Sequence, residues 1–166
     1  MKVQLTTSHG QIVLELDAEK APKTVENFVA YVKSDHYVGT IFHRVIEDFM
    51  IQAGGLDAEM KVKSTNDSIL NEADNGLSNL LGSIAMARTG DPHSASAQFF
   101  INTSDNASLD HRSTTKDGWG YCVFGQVTEG MDVVERIEEV ATTSRNGYQD
   151  VPEEIILIEK AEVIEE

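Results

Sequence analysis

Apolar and polar residues alternate through KVQLTT and QIVLEL near the start of the chain, with Ser8-His9-Gly10 between them. That pattern predicts two antiparallel strands joined by a tight turn. The period then changes. In APKTVENFVAYVKSDHY, Val25, Phe28, Val29 and Val32 recur at helical spacing behind Pro22, which suits a first helical turn. A helix of about twelve residues is expected there. Strand signals return in IFHRV, FMIQA, SIAMA, QFFINT, YCVFGQV and IILIEKAEVI, while Val133, Val134 and Ile137 mark a second amphipathic helix around MDVVERIEEV. With about eight strands and two helices, β-α-β alternation is a poor fit. The expected fold is mainly β, an antiparallel closed barrel capped by two short helices, because closure removes exposed strand edges. Three connections, 54–79, 88–97 and 104–120, are long for a compact domain, and loops of that length are usually functional.

Composition narrows the partners. The 166 residues fit a single domain, 1–166, and no repeat or low-complexity tract argues for dividing it. A formal net charge of −15, from 28 acidic against 13 basic residues, disfavours nucleic acid and anionic membranes. No stretch approaches the roughly eighteen apolar residues of a membrane span, and the N-terminus lacks a secretory pattern, so a cytoplasmic location is expected. No sustained heptad suggests more than a monomer. Cys122, the one cysteine, lies in the apolar run YCVF and reads as a buried strand residue.

Candidate chemistry begins at IFHRVIEDFMIQAGG, residues 41–55, where one arginine sits among apolar side chains. Strict alternation puts Phe42 and Arg44 on one face and His43 and Val45 on the other. The five histidines show no metal-ligand spacing, and GWG at 118–120 reads as a tight turn. Asp57, Glu59, Glu72 and Asp74 sit in solvent-like contexts, so a solvated acidic face explains them better than a hydrolytic dyad. The remaining set is Arg44, Phe49, Met50 and Gln52, joined by Gln98 and Phe100 from SAQFFIN. An arginine beside an apolar cluster, with glutamines supplying donors and acceptors, describes a shallow pocket for a small apolar group and the chain around it.

Three motifs carry a family resemblance: FHRVI-x-x-FMIQ-x-GG, then MAR-x-x-x-PHSA-x-AQFFIN, then GWGYCVFG-x-V-x-x-GMDVV. In this order they resemble the cyclophilin peptidyl-prolyl isomerases, in particular the short bacterial cytoplasmic branch, over nearly the whole chain. The resemblance implies an eight-stranded antiparallel barrel capped by two helices, with a peptide groove on its outside. It implies a catalytic role for Arg44, with Gln52 orienting arginine and substrate. The proline pocket falls on Phe49, Met50, Phe100 and Leu109, with Phe42 beside it. Ala87 and Arg88 occupy the stretch whose backbone pairs with substrate, Thr89 borders the neighbouring pocket, and Gln98 matches a groove glutamine. Tyr121 stands where eukaryotic relatives have histidine. Ser108 departs from the family, which usually has tryptophan or phenylalanine there; the aromatic forms a groove wall, and a tryptophan's indole N–H helps bind cyclosporin. Weak cyclosporin binding is therefore expected. Trp119 belongs to the GWG motif and is not expected to fill that wall.

The implied reaction suits such a site. Rotation about an X-Pro bond has a barrier of about 18–20 kcal/mol because resonance must be lost, yet no covalent bond is broken. A site that favours the twisted state needs no nucleophile, metal or cofactor. The expected substrates are X-Pro bonds in peptides and in unfolded or flexible protein segments, and the expected biological role is assistance to folding. A binding module of the same fold, holding proline-containing segments without catalysis, is the main alternative, and a small-ligand barrel or carboxylate hydrolase is a more distant one.

Overall fold

A computed structural model describes residues 1–166. The elements, in chain order, begin with β1 (Lys2–Thr7), β2 (Gly10–Leu16), α1 (Pro22–Lys33), β3 (Thr40–Ile46) and β4 (Met50–Asp57). They continue with β5 (Ser83–Met86), β6 (Phe99–Asn102), β7 (Val123–Glu129), α2 (Met131–Glu138), β8 (Thr142–Arg145), β9 (Tyr148–Pro152) and β10 (Ile158–Glu165). Eight strands form one antiparallel sheet in the order β10-β1-β2-β7-β5-β6-β4-β3. The sheet curves around a single apolar interior. No helix is long and apolar enough to cross a membrane.

The barrel is open, which corrects the expected closure. Its two edge strands, β3 and β10, do not share a ladder; Ile41 meets Leu157 in an isolated bridge just before β10 begins. Phe42 N–H donates to the Ile156 carbonyl at 3.0 Å and Gly39 N–H to that of Ile158 at 2.9 Å, so the edges touch without pairing along their length. The sequence IILIEKAEVI reads as one continuous strand, but its first three residues cross the gap instead of extending the ladder.

Period-2 alternation sorts the side chains. Ile51 and Ala53 of β4, Phe99 and Ile101 of β6, and Ile84 and Met86 of β5 point into the interior. Their neighbours Met50, Phe100 and Ala85 point outward, where they join Val123 in a separate apolar cluster. Both helices bury one face in the interior, α1 through Val25, Phe28, Val29 and Val32 and α2 through Val133, Val134 and Ile137. The Phe28 ring meets those of Tyr37, Phe99 and Phe124 at 5.2, 5.6 and 5.1 Å, which fixes α1 against the sheet.

Two local readings change. Glu72 is half-buried, and its Oε1 accepts from both the N–H and the hydroxyl of Thr24 at 2.7 Å; it caps the start of α1, which has no side-chain cap of its own. Asp57, by contrast, stays at the surface as expected, where its Oδ1 accepts from the N–H of Glu59 and of Lys61 in a turn. The other change is the hairpin β8–β9, a two-stranded sheet of its own that packs beside β3.

Candidate active site

The outer row of the sheet begins with a bulge. On β3, Phe42 pairs with Ala53 and Arg44 with Gln52, so two steps on β3 answer one on β4. The extra residue breaks alternation. Phe42 is 1% exposed and packs in the interior, whereas Arg44 is turned out to solvent, so the two do not share a face. Phe42 is therefore a core residue and lines no part of the groove, contrary to its expected place beside the pocket.

From Arg44 the ladder carries the row inward. Gln52 faces Arg44 across β3 and β4, Phe100 faces Gln52 across β4 and β6, and Ala85 faces Phe100 across β6 and β5. Arg44 Nη1 donates to Gln52 Oε1 at 3.3 Å, and Gln52 Nε2 donates to Gln98 Oε1 at 2.9 Å. Gln98 lies flat on Gly55, where any Cβ would overlap its amide. No carboxylate lies within salt-bridge distance of Arg44, although acidic residues outnumber basic ones about two to one. The guanidinium is thus oriented by an amide chain and retains N–H groups for a visitor.

Arg44, Gln52, Gln98, Ala87, Arg88 and Thr89 line one groove of about 520 Å³, closed on the far side by Tyr148 and Asp150 of β9. Next to it lies the outer apolar cluster of Met50, Ala85, Phe100 and Val123, against which Phe49, Ala87, Leu109 and Tyr121 pack half-buried. The Tyr121 ring stands edge-on to Phe100 at 5.7 Å. Above it, the Arg88 guanidinium lies 4.6 Å from the Tyr121 ring centre and donates to the carbonyls of Gly120 and Thr89, both at 2.9 Å. Ala87 N–H is committed to the Gln98 carbonyl at 3.0 Å, but neither the Ala87 carbonyl nor the Arg88 N–H has a partner within the chain. A backbone edge therefore stays open between the polar groove and the apolar cluster.

Ser108 is not part of either feature. It is exposed and lines a second groove of about 420 Å³ on the other side of Arg88 and Tyr121. Trp119 does not reach it; its ring packs between His93 and His111 at 4.9 and 5.0 Å. The turn near GWG closes earlier than expected, at residues 115–118, where Gly118 N–H donates to the Thr115 carbonyl at 3.1 Å; Gly120, at φ +74°, instead lies against the backbone of residues 109–111, too close for any side chain.

Sequence reasoning missed three asparagines that brace this face. Asn102 Nδ2 donates to Asn79 Oδ1 and to Ser83 Oγ, and Asn106 Nδ2 donates to Asn102 Oδ1 and to the Phe49 carbonyl. Asn79 Nδ2 reaches the Leu109 and Tyr121 carbonyls and Asp110 Oδ1. The backbone of three cluster residues is therefore tied to one buried amide network.

Two titrating groups near the site are held neutral. Burial pushes the Cys122 thiol up to about 11, so it stays protonated and inert, as a buried residue should. Burial first, and the Arg44 charge second, hold His43 down to about 4. An unfolded His43 binds a proton near pH 6.5 while the folded one does not, so the fold is fully stabilised above that pH and loses stability as pH falls toward 4. We expect urea denaturation to show a loss on the order of a few kcal/mol between pH 7 and pH 4, and His43→Gln to flatten that slope. A slope unchanged in the variant would mean that another group carries it.

Comparisons with known proteins agree with this architecture. The family model described as cyclophilin type peptidyl-prolyl cis-trans isomerase/CLD matches residues 2–163. A peptidyl-prolyl cis-trans isomerase of Streptomyces antibioticus is 62% identical over 162 residues, covering 98% of each chain. Isomerase B of Escherichia coli K12 is 52% identical over 163 residues, covering 98% of this chain and 99% of that one. Among solved structures, a cyclophilin type isomerase of Cryptosporidium parvum, crystallised in the presence of the dipeptide Ala-Pro, matches with a TM-score of 0.82 at 24% identity over 100% of both chains. With a match this complete and relatives this similar, the chain belongs to the cyclophilin-type peptidyl-prolyl cis-trans isomerases.

Proposed function

We propose that the outer face of the sheet binds an X-Pro segment and that Arg44 stabilises the twisted peptide bond. The proline ring rests on Phe49, Met50, Phe100 and Leu109, with Tyr121 at its edge. The preceding residue pairs with the free backbone edge at Ala87 and Arg88, and Thr89 and Gln98 border the groove beyond. In the twisted state the prolyl nitrogen regains a lone pair, and a guanidinium N–H aimed at it, or at the rotating carbonyl, binds that state more strongly than either planar isomer. The observation that carries this reading is the line of Arg44, Gln52 and Gln98: a cation without a carboxylate partner, fixed by amides at the border of an apolar cluster. Exclusion of water by that cluster strengthens the arginine's hydrogen bond, and rotation alone requires no cofactor.

A shallow site that reads one proline and its flanking backbone accepts many sequences, so the substrates are X-Pro bonds in peptides and in unfolded or flexible segments, and the activity assists folding. Ser108 supplies neither a groove wall nor an indole N–H, so cyclosporin binds weakly. NMR exchange spectroscopy on a short Ala-Pro-Phe peptide tests the reading. Catalytic amounts of the protein should bring cis/trans exchange from tens of seconds into the sub-second range. Peptide shifts without faster exchange would make the chain a binding module instead. Cyclosporin at a concentration equal to the protein's should leave exchange largely intact; full inhibition would overturn the weak-binding part.

A further inference from the structure

A third groove opens at the other end of the same face. In the strand order Arg44 stands on the edge strand β3, whereas a cavity of about 780 Å³ lies over β2, β7 and the start of β5. Leu77 and Val123 line this cavity and also belong to the apolar cluster proposed to hold proline, so the two surfaces are continuous. Beyond them, Leu80 and Leu81 stand 56% and 57% exposed. Their exposure is fixed by the backbone: Asp105 Oδ1 accepts from Leu81 N–H at 2.8 Å, and the Leu80 carbonyl accepts from Ser83 N–H at 2.9 Å and from Ser83 Oγ at 2.7 Å. A turn tied in this way cannot fold its leucines back into the core.

The rim of the cavity is mostly acidic. Glu15, Asp17 and Glu19 line it against a single cation, the Met1 amino group, and no lysine or arginine side chain lines it. Glu15 Oε2 is shielded from solvent and finds no donor in the chain. A carboxylate in a partly dry setting gains more from an approaching cation than one in open water, and the net charge of −15 draws cationic chains from a distance. Aliphatic anchors beside three carboxylates that make no salt bridge complement leucine-like residues next to lysine or arginine, and they repel acidic segments.

We infer that this groove is an exosite for the unfolded chain flanking the isomerised proline, selecting segments that mix aliphatic and basic residues. The inference rests on the proposed proline site, because both lie on one continuous face. Its test uses a labelled unstructured peptide with a central Ala-Pro flanked on both sides by leucines and lysines, followed by fluorescence anisotropy. The variant L80S/L81S should weaken binding of this peptide about tenfold, as expected for the loss of two partly buried leucine contacts. D17N/E19Q should weaken it several-fold and reduce its salt dependence. Exchange of the short Ala-Pro-Phe peptide should be unchanged in both variants, which keep every residue of the proline site. Equal affinity of L80S/L81S and the parent protein for the long peptide would overturn the exosite, as would equal binding of an analogue with glutamates in place of the lysines. Failure of the parent protein to catalyse short-peptide exchange is a separate readout and would overturn the isomerase site itself.

Discussion

Arg44→Ala is expected to lower the efficiency of prolyl isomerisation by about 10²–10³-fold, by analogy with removal of one donor from an oxyanion hole, while the fold remains intact. The structural part follows from exposure. Arg44 faces solvent from a bulge, makes one side-chain hydrogen bond of 3.3 Å, and has no ionic partner, so truncation leaves no buried charge behind. The kinetic part follows from what remains: Gln52 keeps its bond to Gln98, and the apolar cluster is untouched, so the planar substrate still binds. The loss should therefore appear in kcat, with KM little changed, because the removed interaction is made chiefly in the twisted state. Exchange spectroscopy beside thermal unfolding reads both. A loss below about fivefold, or an unfolded variant, would show that the arginine is structural.

Lysine at the same position separates charge from geometry. Arg44→Lys keeps a cation but replaces a planar fork with a point charge that cannot reach Gln52 and the substrate in the same way. Its residual activity measures how much of the effect is orientation.

Most of the sheet was legible because its core strands alternate strictly. Ile51, Ala53, Phe99 and Ile101 point in while Met50, Gln52 and Phe100 point out, as a period of two requires. The failures have physical causes. Alternation puts Phe42 beside Arg44 because it cannot register a bulge, and a single extra residue moves everything after it to the other face. The hairpin β8–β9 is silent in the sequence because TTSR and YQDVP bury almost nothing until Val151, so no hydrophobic alternation marks them. Its one signal was the dipeptide Asn146-Gly147, whose residues both have positive φ, at 51° and 84°, as a primed hairpin turn demands. Closure is not legible because the sequence shows that strands exist, not whether the two edge strands meet along their length.

The asparagines left no pattern at all. Polar residues in loops look alike whether they are solvated or buried, and only the tertiary fold reveals that Asn79 is 1% exposed and bonded on every side. Asn79→Ala tests what that costs. The substitution removes the donor to the Leu109 and Tyr121 carbonyls and to Asp110, and it deprives Asn102 of an acceptor. Asp110 retains Asn79 N–H at 2.7 Å and Asn102 retains Ser83 Oγ at 2.9 Å, so the network is damaged without collapsing. Burying those unmet groups should cost about 2–4 kcal/mol, which lowers the melting temperature by about 5–15 °C in a domain of this size. The functional consequence differs in kind from that of Arg44→Ala. In the proposed site Leu109 and Tyr121 would contact the proline ring in the planar and twisted states alike, so loosening their loop should weaken both equally. KM should rise by about three- to tenfold while kcat holds. An unchanged melting temperature and KM would show that the network is ornamental to the site. A fall in kcat to the level of Arg44→Ala would show that Asn79 instead supports the arginine, a connection for which the hydrogen bonds on this face offer no route.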